Sequence, residues 1–324
     1  MTGATGFIGA HVVRTLVEGG HRVTALVRAS SSRESIEKMG AQIALGDMED
    51  TDSLVRAIGD VDVVFHLATV LKVPWKTEFR TVNIGGTAAL AKACADRATP
   101  PALVIVSSLA AGGISPPDRP RTERDPSKPI SRYGRMKLDS EQAAVAFAKQ
   151  VPITIVRPPM VLGDGDRWAV PLFKSVARGT HVTPTLRDHR VSLVHVRDLA
   201  TAIVTAGMWG ERVGDDTGMY YVAADERPTY AELGAMIARA MGLPPPRVVR
   251  SPALATGVLA FFGEVVARIR DQPTMLNMDK WREATAGSWI CDATKARGEL
   301  GWTPAPLIER LGETGRAYRE AGLV

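Results

Sequence analysis

Residues 2–9 read TGATGFIG, and AHVVRTLVE (10–18) follows directly. Gly3, Gly6 and Gly9 stand at three-residue spacing. Glycine accepts a positive φ and lets the backbone come close to a ligand. A helix that starts at such a turn points unpaired N–H groups and its positive dipole end outwards. The combination suits a phosphate or pyrophosphate. The spacing, G-x-x-G-x-x-G, is a variant of the G-x-G-x-x-G that opens dinucleotide-binding units. Alone, it is also what a plain tight turn requires.

Outward from the turn, the periodicity predicts a helix over Phe7 to Glu18 and a strand over Val23 to Val27. Helix Glu34 to Met39 leads to strand Gln42 to Leu45, and helix Asp52 to Ile58 leads to strand Val61 to Phe65. A long helix over 77–96 precedes strand Leu103 to Ser107, and helix Tyr133 to Lys149 precedes strand Ile153 to Val156. Continuous Val/Ile/Leu strands between helices predict an α/β fold, a Rossmann-type doubly wound parallel sheet covered on both faces. The strand that should feed the glycine turn is nearly missing, since only Met1 and Thr2 precede Gly3. The expectation is a truncated first strand, with the natural start several residues upstream.

After Arg157-Pro158-Pro159 the elements become irregular. The predicted division is 1–160 for the dinucleotide-binding domain and 161–324 for a smaller, mostly helical substrate lobe. Segment 190–224 is expected to return to the first sheet, through strand Val191 to Val196, helix Arg197 to Met208 and strand Tyr220 to Ala223. Trp168, Trp209, Phe261, Phe262, Met275, Trp281 and Trp289 offer pocket walls, although their spacings favour core. Leu71 and Trp75 are further candidates to face a substrate.

Composition excludes several classes. Forty basic against 35 acidic residues give +5, with no dense Lys/Arg block, so no nucleic-acid surface is expected. Cys94 and Cys291 are far apart and read as buried apolar residues, not as a disulfide or zinc site. No signal peptide and no membrane span are read, and a cytoplasmic setting is expected. The apolar stretch from Pro252 to Arg270 reads as an amphipathic helix packed on the protein, with a membrane-surface contact as the minor alternative.

The second strand runs out into Arg28 rather than into the acidic residue that binds a ribose 2′-hydroxyl in NAD sites. An arginine there pairs with a 2′-phosphate, which favours NADP(H) and leaves NAD(H) open. Asp47, after the third strand, suits an adenine amino group, while Asp50 suits a helix N-cap. His66 reads as structural. In YGRMK, Tyr133 and Lys137 are four apart and share a helix face. A phenol exchanges protons poorly near neutral pH, and a neighbouring ammonium lowers its pKa towards the working range. Ser108, ending VIVSS, is placed to bond the same substrate oxygen.

These segments together resemble the extended short-chain dehydrogenase/reductase family, also described as NAD-dependent epimerase/dehydratase-like. TGATGFIG, GDMEDTDSL, FHLAT, VNIGGTAAL, VSS, YGRMK, VRPPMVLGDGD, VHVRDLA and WICDATKARGELGWTP occur in the family's order. The resemblance implies Tyr133 as general acid or base, Lys137 on the nicotinamide ribose, Ser108 on the carbonyl and Asn83 supporting a proton relay. It implies cofactor contacts from Gly3, Thr5, Gly6, Phe7, Ile8, Gly9, Arg28, Asp47, Met48, Leu67, Ala68, Thr69 and Val106, besides Tyr133 and Lys137. Pro158, Pro159 and Val161 are expected beside the carboxamide. The resemblance is greatest to the 3β-hydroxysteroid dehydrogenase and dihydroflavonol reductase-like branch. It implies an alcohol dehydrogenase/ketone reductase acting on a small, fairly apolar substrate, as a homodimer. A nucleotide-sugar epimerase holding NAD is the alternative, and a non-catalytic dinucleotide sensor a minor one.

Overall fold

A computed structural model describes residues 1–70, 78–116, 119–213, 218–270 and 277–324. Met275, Leu71 and Trp75, named above as possible pocket residues, lie outside the described residues. The glycine turn passes into α1 (Phe7–Glu18), followed by β1 (Thr24–Val27), α2 (Glu34–Lys38), β2 (Gln42–Leu45), α3 (Thr51–Ile58) and β3 (Val63–His66). Next come α4 (Glu78–Arg80), a π-helical turn (Thr81–Gly85), α5 (Gly86–Ala95), β4 (Ala102–Val106), α6 (Leu109–Gly112), α7 (Arg132–Val145) and β5 (Ile153–Arg157). The expected helix over 77–96 is therefore interrupted at residues 81–85. The helix expected to reach Lys149 stops at Val145, where Phe147 N and Ala148 N turn to the carbonyls three residues back.

The strands lie in the order β2-β1, then β3-β4-β5 closed by β9 (Met219–Tyr221), and every pair is parallel. Thr2 joins the two parts, bridging Leu26 on one side and His66 on the other. Thr2 N donates to Phe65 O at 2.9 Å and Leu26 N donates to Met1 O at 2.8 Å. Met1 and Thr2 thus occupy the central strand position before the glycine turn.

β4 shows why the sheet is two-faced. Val104 and Val106 pack on one side with Val12, Val13, Leu16, Leu199 and Ile203. Leu103 and Ile105 pack on the other with Leu54, Leu90, Cys94 and Ala144. Alternation at period two sends successive residues to opposite helix layers. Both cysteines are buried and unpaired with each other.

The second half contains β6 (Met160–Leu162), α8 (Val170–Ala177), β7 (Thr180–Thr183), β8 (Leu193–His195) and α9 (Val196–Trp209). After β9 come α10 (Tyr230–Ala240), β10 (Arg247–Arg250), α11 (Ala253–Arg270), α12 (Met278–Ala286), α13 (Thr294–Leu300) and α14 (Leu307–Glu320). A separate core forms from Leu162, Phe173, Val176, Leu193, Leu233, Ile237, Leu307, Leu311 and Tyr318. Helix α9 packs on the first sheet, and strand β9 pairs with β5. A later segment returns as well: Cys291, Ala296, Leu300 and Trp302 join the first core, and Trp302 Nε1 donates to Asp198 O at 2.9 Å.

Four aromatic residues depart from the core reading. Trp168, Trp209, Phe261 and Phe262 are 52%, 77%, 55% and 61% exposed. The two phenylalanines lie on α11, which packs along α12 and leaves Leu254, Leu259 and Ile269 outward as well. Among the described residues no helix is long and apolar enough to cross a membrane. No group of three or more His, Cys, Asp or Glu residues there could hold a metal ion.

Candidate active site

The site is built on the carboxyl edge of the parallel sheet, where ligands of such sheets bind. Gly3 has φ +72°, and a Cβ on it would lie 2.6 Å from Ala68 N. A Cβ on Gly9 would lie 2.0 Å from the Gly3 carbonyl oxygen. Both glycines are therefore demanded by backbone packed against backbone. Gly6 is the N-cap of α1 and contributes no side-chain cap. The first N–H groups of that helix, those of Phe7, Ile8 and Gly9, have no intrahelical partner. With exposed Thr5 beside them, they form a cradle that fits a pyrophosphate.

Arg28 is exposed just past the end of β1. Asp47 follows β2, and one of its oxygens accepts from Glu49 N at 3.1 Å. Met48 is buried and packs against Gly86. Asp50 caps α3 by accepting from Ser53 N at 3.2 Å, as its position in the sequence suggested. Leu67, Ala68 and Thr69 follow β3, and Ala68 N donates to Thr2 Oγ1 at 3.2 Å. His66 is structural: its ring bridges Thr2 Oγ1 (2.7 Å) and Thr87 Oγ1 (2.9 Å). Burial lowers its pKa to about 3, helped by the Lys137 charge, so the ring is neutral.

Asn83 is buried in the π turn. Its side-chain oxygen accepts from Val70 N at 2.8 Å, and its amide donates to Val70 O (3.0 Å) and Phe79 O (2.7 Å). The side chain clamps the loop after β3. Its backbone carbonyl accepts from Thr87 Oγ1 and Ser140 Oγ. Beside it, a cavity of about 10 Å³ is lined by Thr69, Asn83, Thr87, Ser107, Lys137 and Ser140 among others. That is close to the space of one water molecule.

Tyr133 stands in the first turn of α7, and three side-chain contacts fix that turn. Ser131 Oγ accepts from Gly134 N at 2.9 Å. Asp279, on α12, accepts from Arg132 N at 2.7 Å and from Tyr133 N at 3.0 Å. Gly134 has no room for a side chain, since a Cβ would sit 2.3 Å from Ala110 O. The glycine thus lets α7 approach α6, whose N-cap is Ser108. The Ser108 hydroxyl lies beside the Tyr133 phenol, and it accepts from Ala110 N at 3.2 Å. Burial raises the phenol's pKa above its ordinary value; the Lys280 charge and the Ser108 hydroxyl pull it down, and Glu283 pushes it up.

Lys137, one turn further on, donates to Thr69 Oγ1 at 2.8 Å and to Val106 O at 3.0 Å. Burial lowers its pKa to about 8, against the nearby Glu141. The sequence assigned to Lys137 the tuning of Tyr133. Here its ammonium is spent on the ends of β3 and β4, and the cation over the phenol ring is Lys280, with Nζ 5.1 Å from the centroid. Beneath α7, Glu141 holds Arg157 through bonds of 2.8 and 2.5 Å, both side chains buried. Past Arg157, Pro158 O accepts from Leu109 N at 2.8 Å, which ties the ends of β4 and β5. Pro159 and Val161 follow, both partly exposed.

The structure thus brings Ser108, Tyr133, Lys137 and Thr69 to one edge of the sheet. Sequence reasoning missed Gly134, Asp279, Lys280 and Glu283. Ser131 before the helix was a readable cap signal. Asn277, which caps α12 by accepting from Lys280 N at 2.9 Å, was another, but neither tells where α12 docks.

The family model described as the NAD dependent epimerase/dehydratase family matches residues 1–217. A ceramide reductase of Caulobacter vibrioides is 30% identical, over 99% of this chain and 94% of that protein. Sterol demethylase protein B of Methylococcus capsulatus is 26% identical, over 100% of this chain and 99% of that protein. The solved UDP-glucose 4-epimerase of Thermus thermophilus in complex with NAD shares the fold, with a TM-score of 0.75 at 24% identity. That match covers 99% of this chain and 98% of that one. The chain belongs to the NAD-dependent epimerase/dehydratase family, as an oxidoreductase with an NAD(P)-binding Rossmann unit.

Proposed function

We propose that this family member is an NADP(H)-dependent reductase that interconverts a ketone and a secondary alcohol on a small, fairly apolar molecule. The observation that carries the proposal is the gathering of Ser108, Tyr133 and Lys137 at the sheet's carboxyl edge, where Gly134 lets α7 close on α6 and Lys137 is bonded to Thr69 and Val106. In reduction Tyr133 gives its proton to the carbonyl oxygen, and in oxidation it takes the alcohol's proton. Ser108 orients that oxygen. Lys137, already held at the ends of β3 and β4, is positioned for ribose hydroxyls. The bound dinucleotide supplies or accepts the hydride.

The turn from Gly3 to Gly9 would hold the pyrophosphate, with Asp47 and Met48 at the adenine and Leu67, Ala68, Thr69 and Val106 along the ribose. Pro158, Pro159 and Val161 would flank the carboxamide. Arg28, exposed beside the end of β1, supports a 2′-phosphate and therefore NADP(H) over NAD(H). The relatives named for ceramide and sterol chemistry support an apolar substrate. A water in the cavity between Asn83 and Lys137 would extend the proton path towards the interior.

The test is cofactor oxidation with a panel of apolar ketones, using NADPH and NADH in parallel. We expect turnover with NADPH and a loss of at least 100-fold in Tyr133→Phe, the scale of general acid catalysis. No turnover by the wild type, or undiminished turnover by Tyr133→Phe, refutes the reading. Tightly co-purifying NAD that does not exchange with NADPH points instead to an epimerase.

A further inference from the structure

The second lobe places a charged pair over the phenol of the first. Asp279, Lys280 and Glu283 lie on the side of α12 that meets α7, while Met278 and Trp281 lie on the opposite side, towards α11. Asp279 fastens α12 to the first turn of α7 through the N–H groups of Arg132 and Tyr133. The next residue, Lys280, is thereby carried over the Tyr133 ring, with Nζ 5.1 Å from its centroid. Glu283 receives a hydrogen bond from Lys280 Nζ at 2.8 Å and fixes where the ammonium sits. Glu283 is anchored in turn, because its backbone carbonyl accepts from Trp289 Nε1 at 2.6 Å.

We propose that Lys280 is a positioning residue that sets the ionisation of Tyr133 from across the lobes, with Glu283 as its counterweight. The inference rests on the reading of Tyr133 as the proton-transfer group. Among the described residues, the groups facing the phenol are few. From its own helix, Lys137 is turned towards Thr69 and Val106. From the loop after β4, Ser108 offers a neutral hydroxyl. From α12, Lys280 brings a positive charge, and Glu283 and Asp279 bring negative ones, the latter engaged with backbone N–H groups. Removing the Lys280 charge therefore leaves the phenolate opposed by burial and by Glu283, with no other cation among the described residues over the ring. The Lys137 ammonium cannot replace it while bonded to the sheet edge.

A unit charge at about 5 Å, in the polar but partly enclosed setting of a cleft, changes an ionisation constant about tenfold. The experiment compares wild type, Lys280→Met, Lys280→Arg and Glu283→Gln in two ways. One is the near-ultraviolet tyrosinate titration of each protein minus that of its Tyr133→Phe counterpart, which needs no turnover. The other is the pH profile of kcat/KM for alcohol oxidation, which requires the phenolate. Lys280→Met should move both the Tyr133 titration and the alkaline-rising limb to higher pH, with an oxidation rate about tenfold lower below the limb. Lys280→Arg should restore the wild-type position, because it keeps the charge. Glu283→Gln removes the opposing charge yet can still accept from Lys280, so it should move both curves to lower pH.

The proposal is overturned if Lys280→Met leaves the Tyr133 titration in place, or if Lys280→Arg behaves like Lys280→Met. A shifted titration in a protein that reduces no ketone would uphold Lys280 and sink the reductase reading instead.

Discussion

Replacing Arg157 by Met tests how the sheet supports helix α7. The guanidinium is 2% exposed and its partner Glu141 4%. It donates to both Glu141 oxygens at 2.8 and 2.5 Å, to Ser127 Oγ at 3.0 Å and to Tyr221 OH at 3.2 Å. Methionine keeps most of the volume and leaves the carboxylate buried without its counter-ion. Breaking a buried pair from one side costs about 3–5 kcal/mol. With an unfolding entropy of about 2 cal/mol/K per residue, that is a fall of roughly 4–7 °C in Tm for a cooperatively unfolding chain of 324 residues.

The assay is a double-mutant cycle of urea and thermal melts with Arg157→Met, Glu141→Leu and the pair. The pair should recover most of the loss, since apolar replacement of both partners avoids the stranded charge. The effect should also reach the site. Glu141 lies one turn after Lys137 and already opposes the burial that lowers the lysine's pKa to about 8. Freed from Arg157, the carboxylate should raise it. A cost below about 1 kcal/mol for Arg157→Met, or a double variant as unstable as the two singles summed, refutes the reasoning.

Two further outcomes follow from described contacts. Gly9→Ala would put a methyl 2.0 Å from the Gly3 carbonyl oxygen, so the turn must part from α1; NADPH binding followed by fluorescence titration should weaken at least tenfold, the scale of about 1.4 kcal/mol, and unchanged affinity would show that the cradle is not the pyrophosphate site. His66 is neutral when folded, with a pKa of about 3 against 6.5 when free, so the unfolded chain takes up the proton first. Stability is then unaffected by His66 above pH 6.5 and falls by roughly 1.4 kcal/mol per pH unit from there towards pH 3. His66→Gln should flatten the measured dependence by one proton, and an unchanged slope would contradict the neutral buried ring.

The layered half of the fold was legible because its signal is local. Val-, Ile- and Leu-rich strands between helices fix the alternation, and the bounds of α1 and β2 coincide with the sequence pattern. Ser108, Tyr133 and Lys137 were legible for the same reason, each being tied to the end of a strand or the start of a helix. The charged pair on α12 was not, because its docking depends on contacts spanning 146 and 147 residues. No periodicity within MDKWREATA marks the face that meets Tyr133. Gly134 was passed over because its neighbour, Ala110, belongs to a different element. The exposed Phe261 and Phe262 were misread because apolar spacing on α11 predicts a buried stripe, whereas among the described residues α12 packs along one side and leaves these rings outward.

The interruption at Thr81–Gly85 has a consequence of phase. A π turn takes up one residue more than the α-helix around it. Each residue advances an α-helix by about 100°. Phe79, before the turn, and Thr87, after it, are thus out of step by about that angle compared with an uninterrupted helix. The offset lets one carboxamide reach back to Val70 and Phe79 while the next turn presents Thr87 to His66. Residue count in this segment is therefore a setting in its own right. Deleting a single residue would straighten the helix without removing any named side chain, and would rotate the loop clamp away from the neutral histidine at the same stroke.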